Sequence, residues 1–294
     1  MRLRLRIALG ALLLAHTAAG LASFLAPYDP AHQHRDFPWA PPSLARMSQV
    51  SWLSPTTAGL KLFSPREAVP VFVLGTDGLG RDQFSRLLHG ARISLFSGVA
   101  AGGVSALLGL LLGGIAGFAG GATDRLIMRV SEMFLSLPWM YLLLAARAFL
   151  PLDSDPRLVF VTLLLVLGAV GWARPARLVR GIVLSAMERD YVLASAGFGA
   201  RPTWILRHHI LPETYPAVLT YMTVAIPQYV TAEATLSFLG LGFSSQTPGW
   251  GGLIAALGSL EVLASYWWMW APAVALTAVL ACYFVVSSSL SVIH

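Results

Sequence analysis

The glycine-rich run Gly75-Thr-Asp-Gly-Leu-Gly-Arg81 is the stretch of this chain where a phosphate could be cradled. It lacks the chemistry. A Walker A loop needs a Gly-Lys pair whose amine reaches the outer phosphates, and the single lysine, Lys61, follows Leu60. The run reads instead as a turn leading into an amphipathic segment. Other catalytic constellations are missing. His208 and His209 are adjacent and cannot share a helix face. His16, His32, His34 and His89 are scattered, with no His-Glu-x-x-His pattern. Cys282 stands alone, which excludes an intrachain disulfide and a cysteine-based metal site. The residues therefore point to no catalytic group, no metal and no cofactor, and any ATP hydrolysis belongs to another chain.

Glu233 is the one carboxylate within its apolar run. An ionised group in lipid costs several kcal/mol, so it must face protein or water. Two readings stay open: a structural pair with Arg147, favoured because ionisable residues in spans commonly pair, or a pathway acid that attracts a cationic group.

A second segment carries shape rather than reactivity. Between Glu188 and Pro212, Tyr191, Val192, Ala194 and Ser195 suit a short helix with one small, partly apolar face. Gly199 can take the left-handed conformation that ends it. Pro202 opens a further helix, with Thr203 or the residues just before it as cap. Such a segment either transmits a push between spans or rests on the membrane surface; the residues alone favour the second reading.

The elements that must hold these groups are apolar. The chain has 294 residues, 56% hydrophobic and 12% charged, against about 25% charged in soluble domains. Runs long enough to cross a membrane are Ile7–Ala26, Ile93–Ala119, Ile127–Leu150, Leu158–Ala173 (extending toward Leu178), Tyr215–Leu241 and Trp267–Leu290. The first follows Arg2, Arg4 and Arg6 and reads as an uncleaved span, a cleaved signal peptide being the alternative. Residues 1–27 are then an N-terminal span, 28–92 an external loop with a pre-span amphipathic segment, and 93–294 a five-helix core holding the loop 186–212.

Arginine sets the orientation. Arg125 and Arg129, and Arg174, Arg177, Arg180, Arg189, Arg201 and Arg207, fall on the side of Arg2, Arg4 and Arg6 if there are six spans. That side is the cytoplasm, and both termini lie there. The Arg residues form no continuous basic face, which argues against nucleic acid despite a net charge of +6. The partner by composition is membrane lipid. Ala101, Ser105, Gly109, Gly113, Gly117 and Gly121 form a small-residue stripe that admits close helix packing, within the chain in preference to a dimer seam.

The loop resembles the cytoplasmic EAA loop of ABC importer permeases. Ala194 and Ser195 match the two small residues, Gly199 the glycine and His209-Ile-Leu-Pro212 the end, while Leu193 stands where the family has Glu. Leu74–Leu95, Leu236–Gly242 and Pro248–Gly251 are similar to segments of the C-type permeases of dipeptide, oligopeptide and nickel importers. The resemblance implies an all-α integral membrane protein of the type I importer permease fold, with six transmembrane helices and a cytoplasmic coupling helix. It implies an inner-membrane location, a second homologous permease, two ATP-binding cassette subunits and an external or periplasmic solute-binding protein. The coupling residues would be Tyr191, Val192, Leu193, Ala194, Ser195, Gly199, His209 and Pro212. Peptides are the expected cargo, with nickel or another small solute as the alternative. A self-contained channel or secondary transporter is the other class; few intramembrane charges and no obvious internal repeat count against it.

Overall fold

The computed structural model describes residues 2–43, 50–56, 59–65, 70–149, 156–242 and 249–291. In chain order the elements are α1 (Arg2–Gly20), α2 (Ala22–Leu25), β1 (Val50–Thr56), β2 (Gly59–Pro65), α3 (Gln83–Ala119), α4 (Gly121–Ser136), α5 (Trp139–Ala148), α6 (Pro156–Gly171) and α7 (Ala173–Met187). They continue as α8 (Asp190–Gly197), α9 (Pro202–Ile205), α10 (Leu211–Phe238), α11 (Trp250–Ile254), α12 (Leu260–Ser265) and α13 (Ala271–Ser291). The chain divides into two compact units: Met1–Gly98 with Leu150–Phe160 and Val230–Ser289, and Val99–Phe149 with Val161–Tyr229 and Leu290–His294.

In the first unit α1 packs through its small and aromatic-contacting face. Ala8, Leu12 and Ala19 are buried, and the His16 ring meets Phe96 and Tyr283 edge-on. The Tyr283 hydroxyl lies 3.3 Å from His16 Nε2. β1 and β2 form an antiparallel hairpin, Val50 opposite Pro65 and Thr56 opposite Gly59. This corrects the all-α expectation: the chain is mostly helical with one two-stranded sheet among its described residues. Long apolar runs do not mark strands, whose signal is a period of two over a few residues. Helix α3 starts at Gln83, so the amphipathic segment and the second apolar run are one unbroken helix.

In the second unit the small stripe of α3 lies against α7. A Cβ on Gly113 would stand 2.3 Å from the Ala176 carbonyl oxygen, and one on Gly109 would stand 2.5 Å from Pro175 Cγ. At Gly117 it would meet Val183 at 2.8 Å. Two backbones thus approach as only small residues permit. Gly121 does not continue the stripe: it lies beyond the end of α3, and a Cβ there would meet open space. Arg180 of α7 forks onto Asp124 of α4, its Nε and Nη2 donating to the two carboxylate oxygens at 2.5 and 2.6 Å.

The run Ile127–Leu150 is not one straight helix. α4 and α5 meet at an 80° bend. Pro138 disfavours helical geometry at the residue before it, and Leu137 is extended, with φ −76° and ψ 132°. By length and hydropathy three helices of the described residues could cross a membrane: Leu3–Gly20, Gln83–Ala119 and Trp267–Leu290. The bent pair would make a fourth.

Candidate coupling loop

Met187 ends α7, and Arg189 turns the chain with extended geometry (φ −75°, ψ 142°) before α8 begins. Gly199 closes α8 at φ +83°, with the Ala200 N–H donating back to the Ser195 carbonyl at 3.1 Å. Arg201 then enters α9 with Pro202 in its first turn, and neither Arg201 nor another side chain caps it by a hydrogen bond. From Pro202 to Phe238 the backbone stays helical, through a π-helical turn at Leu206–Ile210. That wider turn has a packing consequence. Ile205 and Ile210 are both buried in one cluster with Val183, Ala186 and Val192. Five residues apart in an α-helix they would point about 140° from each other, and the π turn brings them onto one side.

The same geometry aims His209 back at α8. Its Nε2 lies 3.2 Å from Ser195 Oγ, and its ring meets Tyr191 at 5.6 Å and Trp204 at 5.1 Å, both edge-on. The Tyr191 hydroxyl donates to Glu213, which also takes an ion pair from Arg189 at 3.2 Å. The Glu213 carboxylate raises the Tyr191 phenol above its ordinary pKa, so the phenol stays a donor at neutral pH. Arg189 and Tyr191 thus tie the α8 end of the loop to the start of α10, and Ser195 ties it to the π turn.

The exposed and buried faces of α8 separate the expected coupling residues. Tyr191 and Leu193 are exposed, as is Ala194, and Phe198 is 93% exposed. Pro212 is exposed in the first turn of α10, and Ser195 and His209 are half-buried between the helices. Val192 is 5% exposed and belongs to the chain's own core. In this cluster with Val183 and Ile205 it offers less surface to a partner than Tyr191, Leu193 or Ala194. Phe198, Trp204 and Glu213 were not foreseen. The signal for Phe198 was present, since a large apolar residue beside the helix-ending glycine has nothing in a loop to bury it.

The other predicted residues lie elsewhere. Glu233 is 1% exposed in the first unit, where its Oε1 accepts from Ser237 Oγ at 2.6 Å. Ser94 Oγ in turn accepts the Trp250 backbone N–H at 3.0 Å. The Arg147 side chain lies outside the described residues. The glycine-rich run is a closed turn: Asp77 Oδ1 accepts the N–H groups of Leu79 and Arg81 at 2.9 and 3.0 Å, and Thr76 pairs with Asp82.

Apolar helices of membrane-crossing length, with a braced polar bridge between α7 and α10, define a polytopic helical membrane protein. Residues 109–293 match the family described as binding-protein-dependent transport system inner membrane component. The chain is 41% identical over 194 residues to the dipeptide transport system permease protein DppC of Bacillus subtilis (strain 168), which covers 66% of this chain and 58% of that protein. It is 38% identical to the oligopeptide transport system permease protein OppC of the same organism, over 66% of this chain and 61% of that one. With the di/tripeptide transport system permease protein DppC of Pseudomonas aeruginosa (strain UCBPP-PA14) it shares 35% identity over 84% of this chain and 73% of that protein. A chain of the MetNI methionine ABC transporter in inward-facing conformations aligns over 68% of this chain and 94% of its own, at 20% identity and a TM-score of 0.47. The chain belongs to the family of binding-protein-dependent transport system inner membrane components.

Proposed function

We propose that the chain is one of two homologous permease subunits of an ATP-driven importer of dipeptides and oligopeptides. Its partners in this reading are a second permease, two ATP-binding cassette subunits and an external solute-binding protein. In this reading the chain has six spans with both termini and the α8 loop in the cytoplasm, and its single lysine leaves it without a phosphate-binding loop of its own. ATP closes the cassette subunits, α8 moves with them, and the cavity exchanges its outer opening for an inner one. The observation that carries this reading is the outward face of α8. Tyr191, Leu193 and Phe198 expose apolar and aromatic surface on a helix braced at both ends. Exposed apolar surface of this kind marks a protein contact. Leu193, where the family has Glu, makes that contact apolar.

Cysteine crosslinking in the assembled transporter tests it. Cysteines at Leu193 and Phe198, in a background lacking Cys282, should crosslink to cysteines in a groove of the cassette subunit, and one at Val192 should not. Proteoliposomes with all partners should accumulate a labelled dipeptide only with ATP. Accumulation without ATP or cassette subunits would instead make this a self-contained transporter.

A further inference from the structure

The glycine-rich turn is not accounted for by coupling. In the first unit it walls a cavity of about 420 Å³, together with the start of α3 and with α11. Part of the lining is polar. Arg81 Nε lies 2.7 Å from Asp77 Oδ2, and Arg86 Nε lies 3.7 Å from the same oxygen. Both guanidinium groups approach this carboxylate, Arg86 Nη1 also donates to the Pro30 carbonyl at 3.2 Å, and the lining residues carry one net positive charge. Trp39, Leu253 and Met269 add apolar lining. Gln83 stands in the wall at 0% exposure, and neither end of its carboxamide has a hydrogen-bond partner among the described residues. A buried amide left unmet is costly, and one that persists calls for an explanation, of which a water or a bound ligand is one. Asp82, next in the chain, does not line the cavity; its Oδ2 accepts the Ser85 N–H at 2.7 Å.

We propose that this cavity is a binding site for a carboxylate flanked by an apolar group, as found at the C-terminal residue of a short peptide. The excess positive charge favours an anion, guanidinium groups bind carboxylates strongly, and the Gln83 amide N–H donates to it. The apolar lining takes the adjoining aliphatic side chain. In the proposed topology the cavity opens on the outer side, ahead of the pathway. The choice of a peptide rests on the functional reading above. The same chemistry is offered by a free peptide and by a carboxylate displayed on the solute-binding protein.

Two titrations of the assembled transporter in nanodiscs test it, one with the dipeptide Ala-Leu and its C-terminal amide, the other with the solute-binding protein. Gln83→Leu removes a buried unmet amide, so its thermal stability should hold or rise and a loss of binding would not reflect misfolding. Leu253→Trp fills the cavity from α11 and leaves the residues of the turn unchanged. If the free peptide is the ligand, Ala-Leu binds about tenfold tighter than its amide, and both variants weaken it about tenfold. If the carboxylate belongs to the binding protein, the dipeptide gives no signal and the variants weaken the protein's association instead. Unchanged binding of both probes in both variants would overturn the site. ATP-driven peptide uptake by the unaltered transporter reports on the functional reading separately, so the two failures are distinguishable.

Discussion

Ser195 Oγ and His209 Nε2, fourteen positions apart in the chain, lie 3.2 Å from each other. The same hydroxyl donates to the Tyr191 carbonyl at 2.9 Å. A serine hydroxyl has one proton to give, so toward His209 it accepts, and Nε2 carries the hydrogen. The bond crosses from α8 to the π turn and joins the helix that would bear a partner to the helix that continues into the span. His209→Ala and Ser195→Ala should each cost about 1 kcal/mol of stability but lower peptide-stimulated ATPase activity more than basal activity. The double variant should lose no more than either single one. Additive losses in the two-variant cycle would show that the two residues act separately.

Gly199 has open space where a Cβ would be, so its requirement is conformational. At φ +83° a β-branched residue is a strong outlier, while asparagine tolerates the region. Gly199→Val should abolish ATP-driven uptake with membrane insertion intact, and Gly199→Asn should keep most of it. Full uptake by the valine variant would remove Gly199 from the coupling geometry.

Gly113 faces the opposite constraint, backbone against backbone. Gly113→Val must separate α3 from α7, and overpacking of this kind costs about 1–3 kcal/mol. A Cβ on Gly103, on the same helix, would meet nothing within 4 Å, and Gly103→Ala should be neutral. Thermal unfolding in detergent compares the two directly; equal melting temperatures would contradict the close packing.

Asp82 precedes α3 and caps the Ser85 N–H, yet burial pushes its carboxyl up to about 6. An unfolded aspartate releases its proton near 3.9. Between about pH 4 and 6 the folded chain therefore binds more protons than the unfolded one, and stability falls as pH rises through that window, then levels off. Melting temperature should be higher at pH 5 than at pH 7. Asp82→Asn keeps a capping oxygen and removes the titration, so its melting temperature should vary less over this range. An unchanged slope would place the titrating group elsewhere.

Much of this protein is local in origin and therefore legible along the chain. Apolar runs, arginine placement, the turn at Gly75–Arg81 and the helix break at Gly199 depend on neighbours a few residues away, where hydropathy and backbone preference act. Tertiary structure decided what those residues meet. Val192 and Leu193 are adjacent and similar in hydropathy, yet one is buried against Val183 and the other exposed. Which one faces outward depends on where α7 and the π turn lie, and no local preference encodes that. The π turn itself forms where burying Ile205 and Ile210 together outweighs regular α geometry. The 80° bend was signalled by Pro138, but a proline inside an apolar run can also sit in a continuous helix, as Pro216 and Pro227 do in α10. The wall that unites Gln83, Arg86 and Leu253 joins residues about 170 positions apart, because a cavity exists only once separate segments have packed and left space between them.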